Sequence, residues 1–246
     1  MKREVKRMVT GRGFLAGLAL ACAGIALGAS YPQMGKNAGE ALKSGTFIQL
    51  AADSLTSQVV SFFLPIAAVL PWSDSFLQEK RSGFLKAALP RIGRRDYVEG
   101  KIFSVWASGF LVWFLAGVLM VFAYFLLFFP FEERGTFPQK QFAELFPLLF
   151  RTGLLGSILS ILGGICGAVG GSPYMAYGIP FVSYYFGILL YERYFQEQIW
   201  LYPVEWIQAS AWWGSGGLGL YLFLLLFLLF LIGLFGGVLY GKLEEI

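Results

Sequence analysis

Residues 152–191 read TGLLGSILSILGGICGAVGGSPYMAYGIPFVSYYFGILLY, a run of forty residues without a charged side chain. As one continuous helix this run would be about 60 Å long, roughly twice the hydrocarbon thickness of a bilayer. The run therefore has to fold back on itself, and Gly170-Gly171-Ser172-Pro173 supplies helix-breaking residues near its middle. Two apolar helices joined by a tight turn are typical of a polytopic membrane protein.

The composition of the whole chain also indicates a membrane protein. Its 246 residues are 57% hydrophobic and 14% charged, whereas soluble domains carry about 25% charged residues. Histidine, the commonest general base and metal ligand, is absent. Cys22 and Cys166 lie in apolar runs, so no disulfide framework or metal pair is indicated. The net charge of +4 does not indicate a nucleic-acid partner, because the basic residues cluster at the ends of apolar segments, where anionic lipid headgroups attract them.

The apolar segments predict an all-α fold with six transmembrane helices in a single transmembrane domain over residues 1–246. The predicted spans are 13–29, 57–72, 102–130, 146–169, 174–191 and 218–240. The first apolar segment ends in a loose match to a signal-peptide cleavage site. It fits better as a retained first span.

The orientation of the spans follows from the basic residues in the short connecting segments. The N-terminal tail, the loop 73–101 and Lys242 together carry most of the Lys and Arg residues, and the sequence places them on one side. The opposite side is predicted to carry the acidic residues Glu40, Asp53, Glu132, Glu133, Glu144, Glu192, Glu197 and Glu205. Both termini are therefore predicted to be cytoplasmic.

Two segments fit neither a span nor a simple loop. In residues 1–12, Val5, Met8 and Val9 fall on one helical face and basic residues on the other, which favours an interfacial helix as much as a plain basic tail. Residues 198–217, QIWLYPVEWIQASAWWGSGG, are too apolar for a free loop and too broken for a span. They predict a re-entrant or interfacial helical hairpin whose tryptophans lie at headgroup depth: Trp200, Trp206, Trp212 and Trp213.

The loop 73–101 is predicted to contain a short amphipathic helix from Phe76 to Leu89. Asp74 or Ser75 can cap its N-terminus. Pro90 and Gly93 end it, and a second helix then leads into the third span. A short helix held just below a membrane is well placed to dock into a groove on a soluble partner.

The same loop contains Phe76-x-x-Glu79-x-x-x-Gly83, followed by Arg94-Arg95-Asp96-Tyr97 and Lys101. This pattern resembles the first cytoplasmic loop of permease subunits of type-2 ABC exporters. The resemblance extends to the six spans, the cytoplasmic termini, the N-terminal interfacial helix and the broken hairpin before the last span. It implies a coupling helix that lies in a cleft of a separate ATPase subunit. The candidate coupling residues that it implies are Asp74, Phe76, Glu79, Gly83, Phe84 and Leu85. The alternative is an ordinary basic loop that lies on anionic lipid.

The resemblance also implies the assembly. Two permease subunits, identical or homologous, would work with two copies of an ATPase in a plasma membrane, and a bacterial one is favoured. The phosphate-binding loop of an ATPase is not expected in this chain, because the nearest match, Gly236 to Leu243, has Leu where the Mg²⁺-binding hydroxyl belongs. No cofactor is expected here, and ATP and Mg²⁺ belong to the partner.

Polar side chains inside the spans are candidates for a translocation pathway. They lie in the second and fifth spans together with one phenylalanine: Ser57, Gln58, Ser61, Tyr177, Phe181 and Tyr184. They suit a lipid-like or peptide cargo, but hydrogen bonds between helices explain them equally well. Arg151 is expected to snorkel to the headgroups. Glycine pairs four residues apart, such as Gly13/Gly17 and Gly233/Gly237, indicate close helix packing within the chain or at a dimer seam.

Three classes of function remain. An exporter permease is the leading hypothesis. A membrane-embedded enzyme would need paired carboxylates or a metal set within the spans, and Asp53 has no visible charged partner in the sequence. A membrane scaffold or sensor subunit of an ATPase complex would share the topology but need no continuous route for cargo.

Overall fold

The structure is a computed structural model that describes residues 2–30, 42–133, 139–214 and 217–244. Within these ranges the chain is all-helical and contains no strand, as the sequence predicts. The α-helices are α1 Lys2–Val9, α2 Arg12–Gly28, α3 Thr46–Leu55, α4 Gln58–Val69, α5 Ser75–Arg81, α6 Phe84–Ile92, α7 Arg94–Phe128, α8 Gln139–Gly170, α9 Pro173–Arg193, α10 Glu205–Gln208 and α11 Leu218–Glu244. Short 3-10 helices span Phe129–Phe131 and Ile199–Leu201.

Three of the described helices, α7, α8 and α11, are long and apolar enough to cross a membrane. The pair α3 and α4 makes a fourth if its two halves, bent by 62°, form one span. Helix α2 is a shorter apolar helix. These helices and the apolar surface of α11 are compatible with a membrane protein.

Helix α8 lies at the centre of the bundle, where it packs against α4, α7, α9 and α11. Its closest neighbour is α7, and the two backbones meet at Gly109 and Gly156. A Cβ atom added to Gly156 would lie 2.6 Å from the carbonyl oxygen of Gly109. The crossing therefore has no room for a side chain on either glycine.

The predicted break in the charge-free run is confirmed. Helix α8 ends at Gly170 and α9 begins at Pro173. Gly171 has a φ of +63°, in the left-handed region that favours glycine, and proline suits the first turn of a helix because its missing N–H would have no partner there. The local sequence is sufficient to place this turn.

Helix α4, Gln58–Val69, lies within the second predicted span, 57–72. Ser57 is the N-cap of α4 and accepts a hydrogen bond from the amide of Val60 (3.2 Å). A separate helix, α3, precedes it and runs at an angle to it. The side chain of Glu132 holds α3 at its other end, because its oxygens accept the amide hydrogens of Gly45 (2.9 Å) and Phe47 (2.8 Å).

The prediction of a single helix from Phe76 to Leu89 is wrong. Gly83 adopts a φ of +73° and separates α5 from α6. Pro90 lies inside α6, which ends at Ile92 before Gly93. The second helix predicted after this loop is confirmed, since α7 runs without interruption from Arg94 to Phe128.

The predicted glycine contacts divide into two groups. Gly17 and Gly24 on α2 pack against α4, where an added Cβ would lie 2.9 Å from the Ala67 carbonyl oxygen and from the Phe63 Cβ, respectively. These glycines serve packing within the chain. Gly233 and Gly237 on α11 face open space instead, since the part of the chain that the structure describes places no atom outside the backbone of α11 within 4 Å of an added Cβ.

The described part of residues 198–217 contains the 3-10 helix Ile199–Leu201, the single turn α10 and the 3-10 residue Gly217, so the predicted helical hairpin is not confirmed. Residues 215 and 216 lie outside the described part, as does Glu40 of the predicted acidic side. Trp206 is buried against Phe223 and Phe227, whereas Trp200 and Trp212 are exposed.

Candidate functional site: residues 73–101 and the helices they contact

A charge cluster, made of Glu4, Arg7, Glu79, Tyr97 and Lys101, joins the loop to α1 and α7; Glu79, Tyr97 and Lys101 are buried in it, whereas Arg7 is exposed. The side chain of Lys101 is fully buried, and its ammonium nitrogen lies 2.9 Å from Glu79 Oε2 and 3.5 Å from Glu4 Oε1. The hydroxyl of Tyr97 donates a hydrogen bond to Glu79 Oε2 (2.7 Å). A charge buried this deeply is tolerated because opposite charges and a hydrogen bond compensate the loss of hydration.

Aromatic rings surround the same cations. Lys101 Nζ lies 5.7 Å from the centroid of the Trp72 ring and 5.5 Å from that of Tyr97. The guanidinium of Arg7 lies 5.9 Å from the Trp72 ring and 5.8 Å from the Phe84 ring. Arg7 also lies 3.6 Å from Glu79 Oε1. Cation–π contacts of this kind stabilise partly desolvated cations, so α1 is held firmly against the loop.

The six predicted coupling residues fall into two groups. Those with buried side chains are Asp74, Phe76, Glu79 and Leu85. Gly83 and Phe84 are exposed, Phe84 with 43% of its surface accessible, and they form the turn between α5 and α6. A partner can therefore contact Gly83 and Phe84 directly, whereas Glu79 acts inside the protein as an anchor of the loop.

The loop also contacts the turn between α8 and α9. Arg81 Nη2 donates a hydrogen bond to the carbonyl oxygen of Gly171 (2.9 Å). Gln78 Nε2 donates to Asp74 Oδ2 (2.8 Å), and the Tyr177 hydroxyl on α9 interacts with the same carboxylate. Asp74 precedes α5 but its side chain does not cap it, contrary to the capping expectation. These contacts would therefore transmit a movement of the loop to α9.

The predicted pathway residues do not form one continuous line. The hydroxyls of Ser61 and Tyr184 form a buried hydrogen bond of 2.7 Å between α4 and α9, which matches the interpretation of these residues as helix-to-helix contacts. Phe181 packs against Phe62, with ring centroids 5.8 Å apart. Tyr177 is engaged with Asp74 at the end of α9 nearest the loop.

Three of these residues, Ser57, Gln58 and Ser61, line a cavity at the other end of α4 and α9. We name it the α4–α9 cavity, and its volume is about 400 Å³. Its remaining lining residues are Thr56, Phe62, Tyr185, Ile188, Glu192, Tyr202, Val204 and Gln208. Burial and, to a smaller extent, the negative charge of Glu192 raise the pKa of Tyr202.

The segment 199–211 is held by two charged side chains. Arg151 Nε donates a hydrogen bond to the carbonyl oxygen of Ile207 (2.9 Å), so Arg151 binds this segment rather than snorkelling freely as expected. The buried carboxylate of Glu205 accepts hydrogen bonds from the amide of Ala211 (2.5 Å) and the hydroxyl of Ser210 (2.6 Å). The hydrogen bond from Arg151 connects the segment to α8, and the hydrogen bonds of Glu205 lie within the segment. The sequence does not predict these contacts.

Glu205→Ala is expected to lower the free energy of unfolding by about 1–3 kcal/mol, because a part-buried amide and a part-buried hydroxyl lose a charged acceptor. Chemical denaturation in detergent, followed by tryptophan fluorescence, measures the change. Glu197→Ala removes an exposed carboxylate from a neighbouring position and is the matched control. Equal stability of the two variants would contradict a structural role for Glu205.

Sequence reasoning missed the partners of Glu79. Lys101 and Tyr97 belong to the second half of the pattern in the loop, and Glu4, which contacts Lys101, is the acidic residue within the basic tail. A lysine at the start of a long apolar helix indicates an acidic partner for its ammonium group. The sequence does not identify which carboxylate is that partner.

No group of three or more His, Cys, Asp or Glu residues that could hold a metal ion occurs within the described ranges. No protein-family model matches the sequence, and no curated protein shows significant similarity to it.

Proposed function

We propose that this chain is the membrane-spanning permease subunit of an ATP-driven exporter of the type-2 ABC class. It would pair with a second permease subunit and with two copies of a separate ATPase in a bacterial plasma membrane. Its cargo would be amphiphilic, for example a peptide. ATP and Mg²⁺ would bind to the ATPase and not to this chain.

The observation that carries the proposal is the construction of the α5–α6 turn. Gly83 and Phe84 are exposed at its tip, while the side chains of Phe76, Glu79 and Leu85 fasten it to the bundle. An exposed aromatic on a firmly anchored turn suits a groove on a soluble partner. Lipid attraction alone would require neither the buried pair of Glu79 and Lys101 nor the contact from Arg81 to the α8–α9 turn.

In the proposed topology six spans are formed by α2, the bent pair α3–α4, α7, α8, α9 and α11. Helix α9 has 21 residues, which corresponds to about 30 Å and matches the hydrocarbon thickness of a bilayer. The end that carries α1, α5 and α6 would face the cytoplasm according to its basic residues. Helix α1 would lie at the interface, and residues 198–217 would lie at the outer surface.

In the proposed mechanism, closure of the two ATPase subunits moves α5 and α6. The movement reaches α9 through the bond from Arg81 to Gly171 and the contact between Asp74 and Tyr177. It reaches α4 directly along the chain, because α4 leads into α5 through only five residues. Relative movement of α4 and α9 would break the bond between Ser61 and Tyr184 and open the space between them.

The proposal is tested by crosslinking at the tip of the turn. The full-length chain, with a photoreactive phenylalanine analogue at position 84, is expressed in its native cells, irradiated and purified. We expect a crosslinked protein that hydrolyses ATP. Phe84→Asp is expected to lose the copurified ATPase activity, because a charge replaces the aromatic contact. Phe195→Asp is the control and is expected to retain that activity, since Phe195 is exposed just beyond the other end of α9.

The outcomes separate the alternatives. Crosslinks to lipid only, with no nucleotide-hydrolysing partner, would contradict the proposal and favour a basic loop lying on the membrane. An ATPase that crosslinks and hydrolyses ATP while no cargo moves in reconstituted vesicles would favour the scaffold or sensor subunit.

A further inference from the structure

The α4–α9 cavity has an unusual combination of charge and aromatic walls. Of the described residues that line it, only Glu192 carries a full charge, and no Lys or Arg is among them. No basic side chain in the described ranges lies within 4.0 Å of the Glu192 carboxylate. The carboxylate is therefore free to attract a cation that enters the cavity.

Three aromatic rings form the walls: Phe62, Tyr185 and Tyr202. Neighbouring rings fix their positions, since Tyr202 stacks on Tyr191 with centroids 4.4 Å apart and Tyr185 packs against Phe181 at 4.9 Å. Rigid rings of this kind offer both apolar surface and the negative face of a π system, which binds organic cations.

The volume and the polar lining of the cavity restrict the size and the chemistry of its ligand. Ser61 lines the cavity, and its hydroxyl forms the hydrogen bond with Tyr184, which is not among the lining residues. A volume of about 400 Å³ lies at the lower end of the range for small-molecule sites. Gln58 and Gln208 add hydrogen-bonding groups to the lining.

We propose that the α4–α9 cavity binds an organic cation with apolar or aromatic substituents, with Glu192 opposite the charge and Phe62, Tyr185 and Tyr202 around the apolar body. As the substrate class of the exporter, this assignment rests on the function proposed above. The binding itself is a property of this chain and requires no ATPase.

The test compares two ions of nearly the same size and opposite charge, tetraphenylphosphonium and tetraphenylborate. Their binding to the purified full-length chain in a neutral detergent is measured by tryptophan fluorescence and calorimetry, with empty micelles as the blank. We expect saturable binding of the cation and none of the anion. Glu192→Gln is expected to weaken cation binding about tenfold, because it removes one partly exposed charge contact.

Glu197→Gln is the matched control, since it removes an exposed carboxylate that does not line the cavity, and it is expected to bind the cation normally. Tyr202→Leu is expected to weaken binding several-fold while Glu192 is retained. Equal binding of both ions, or unchanged affinity in Glu192→Gln, would overturn the proposal. Loss of the crosslink at position 84 with retained cation binding would overturn the exporter function and leave the binding site standing.

Discussion

Lys101→Met is expected to lower the free energy of unfolding by about 3–5 kcal/mol, the cost of removing one partner from a buried ion pair. Methionine fills a similar volume, so the loss reflects charge rather than packing. Glu79, itself only 5% exposed, would keep the hydrogen bond from Tyr97 and the contact with Arg7 at 3.6 Å. These contacts do not replace an ammonium at 2.9 Å. Thermal and denaturant unfolding in detergent measure the change.

Two further variants test whether the loss of stability comes from the broken buried ion pair. Arg95→Met breaks the exposed pair between Arg95 and Glu99 and is expected to leave stability unchanged, because water screens that pair. The double variant Lys101→Met with Glu79→Leu is expected to be more stable than Lys101→Met alone, since it leaves no carboxylate buried at position 79. A Lys101→Met protein that unfolds like the wild type would show that the charge cluster does not hold α1 and the loop in place.

The features that the sequence predicts well are those that depend on neighbouring residues. The charge-free run 152–191 is too long for one helix across a bilayer, and Gly171 and Pro173 mark the turn between α8 and α9 through their own backbone preferences. The apolar spacing in the loop, which includes Phe76, Phe84 and Leu85, likewise predicts helix, and helix forms on both sides of Gly83. Each of these inferences uses only local chemistry and helical periodicity.

The features that it does not predict depend on residues far apart in the chain. Glu79 has the spacing of an exposed polar residue, and it is buried because Lys101 and Glu4 come from α7 and α1. Phe84 belongs to the apolar pattern but is exposed, because the left-handed turn at Gly83 rotates α6 relative to α5. Ser61 and Tyr184 meet only after α4 and α9 have packed.

Gly156→Leu is expected to lower the free energy of unfolding by about 3 kcal/mol or more, or to prevent folding, because overpacking at a backbone contact cannot be relieved by a side-chain rotation. The added Cβ would lie 2.6 Å from the Gly109 carbonyl oxygen and 2.8 Å from Trp113 Cδ1. Trp113 is fully buried, and its indole N–H donates a hydrogen bond to the Leu64 carbonyl oxygen (3.3 Å). Helices α7 and α8 would have to separate, which disturbs the centre of the bundle.

Gly237→Leu is the matched control, because no atom of the described residues, apart from the backbone of α11 itself, lies within 4 Å of a Cβ added at this position. Its unfolding midpoint in detergent is expected to equal that of the wild type. Gly109→Leu, on the other side of the same crossing, is expected to be as damaging as Gly156→Leu, since its Cβ would collide with the Gly156 carbonyl oxygen. If leucine at 109 or 156 were as well tolerated as at 237, α7 and α8 could not cross as closely as these glycines place them.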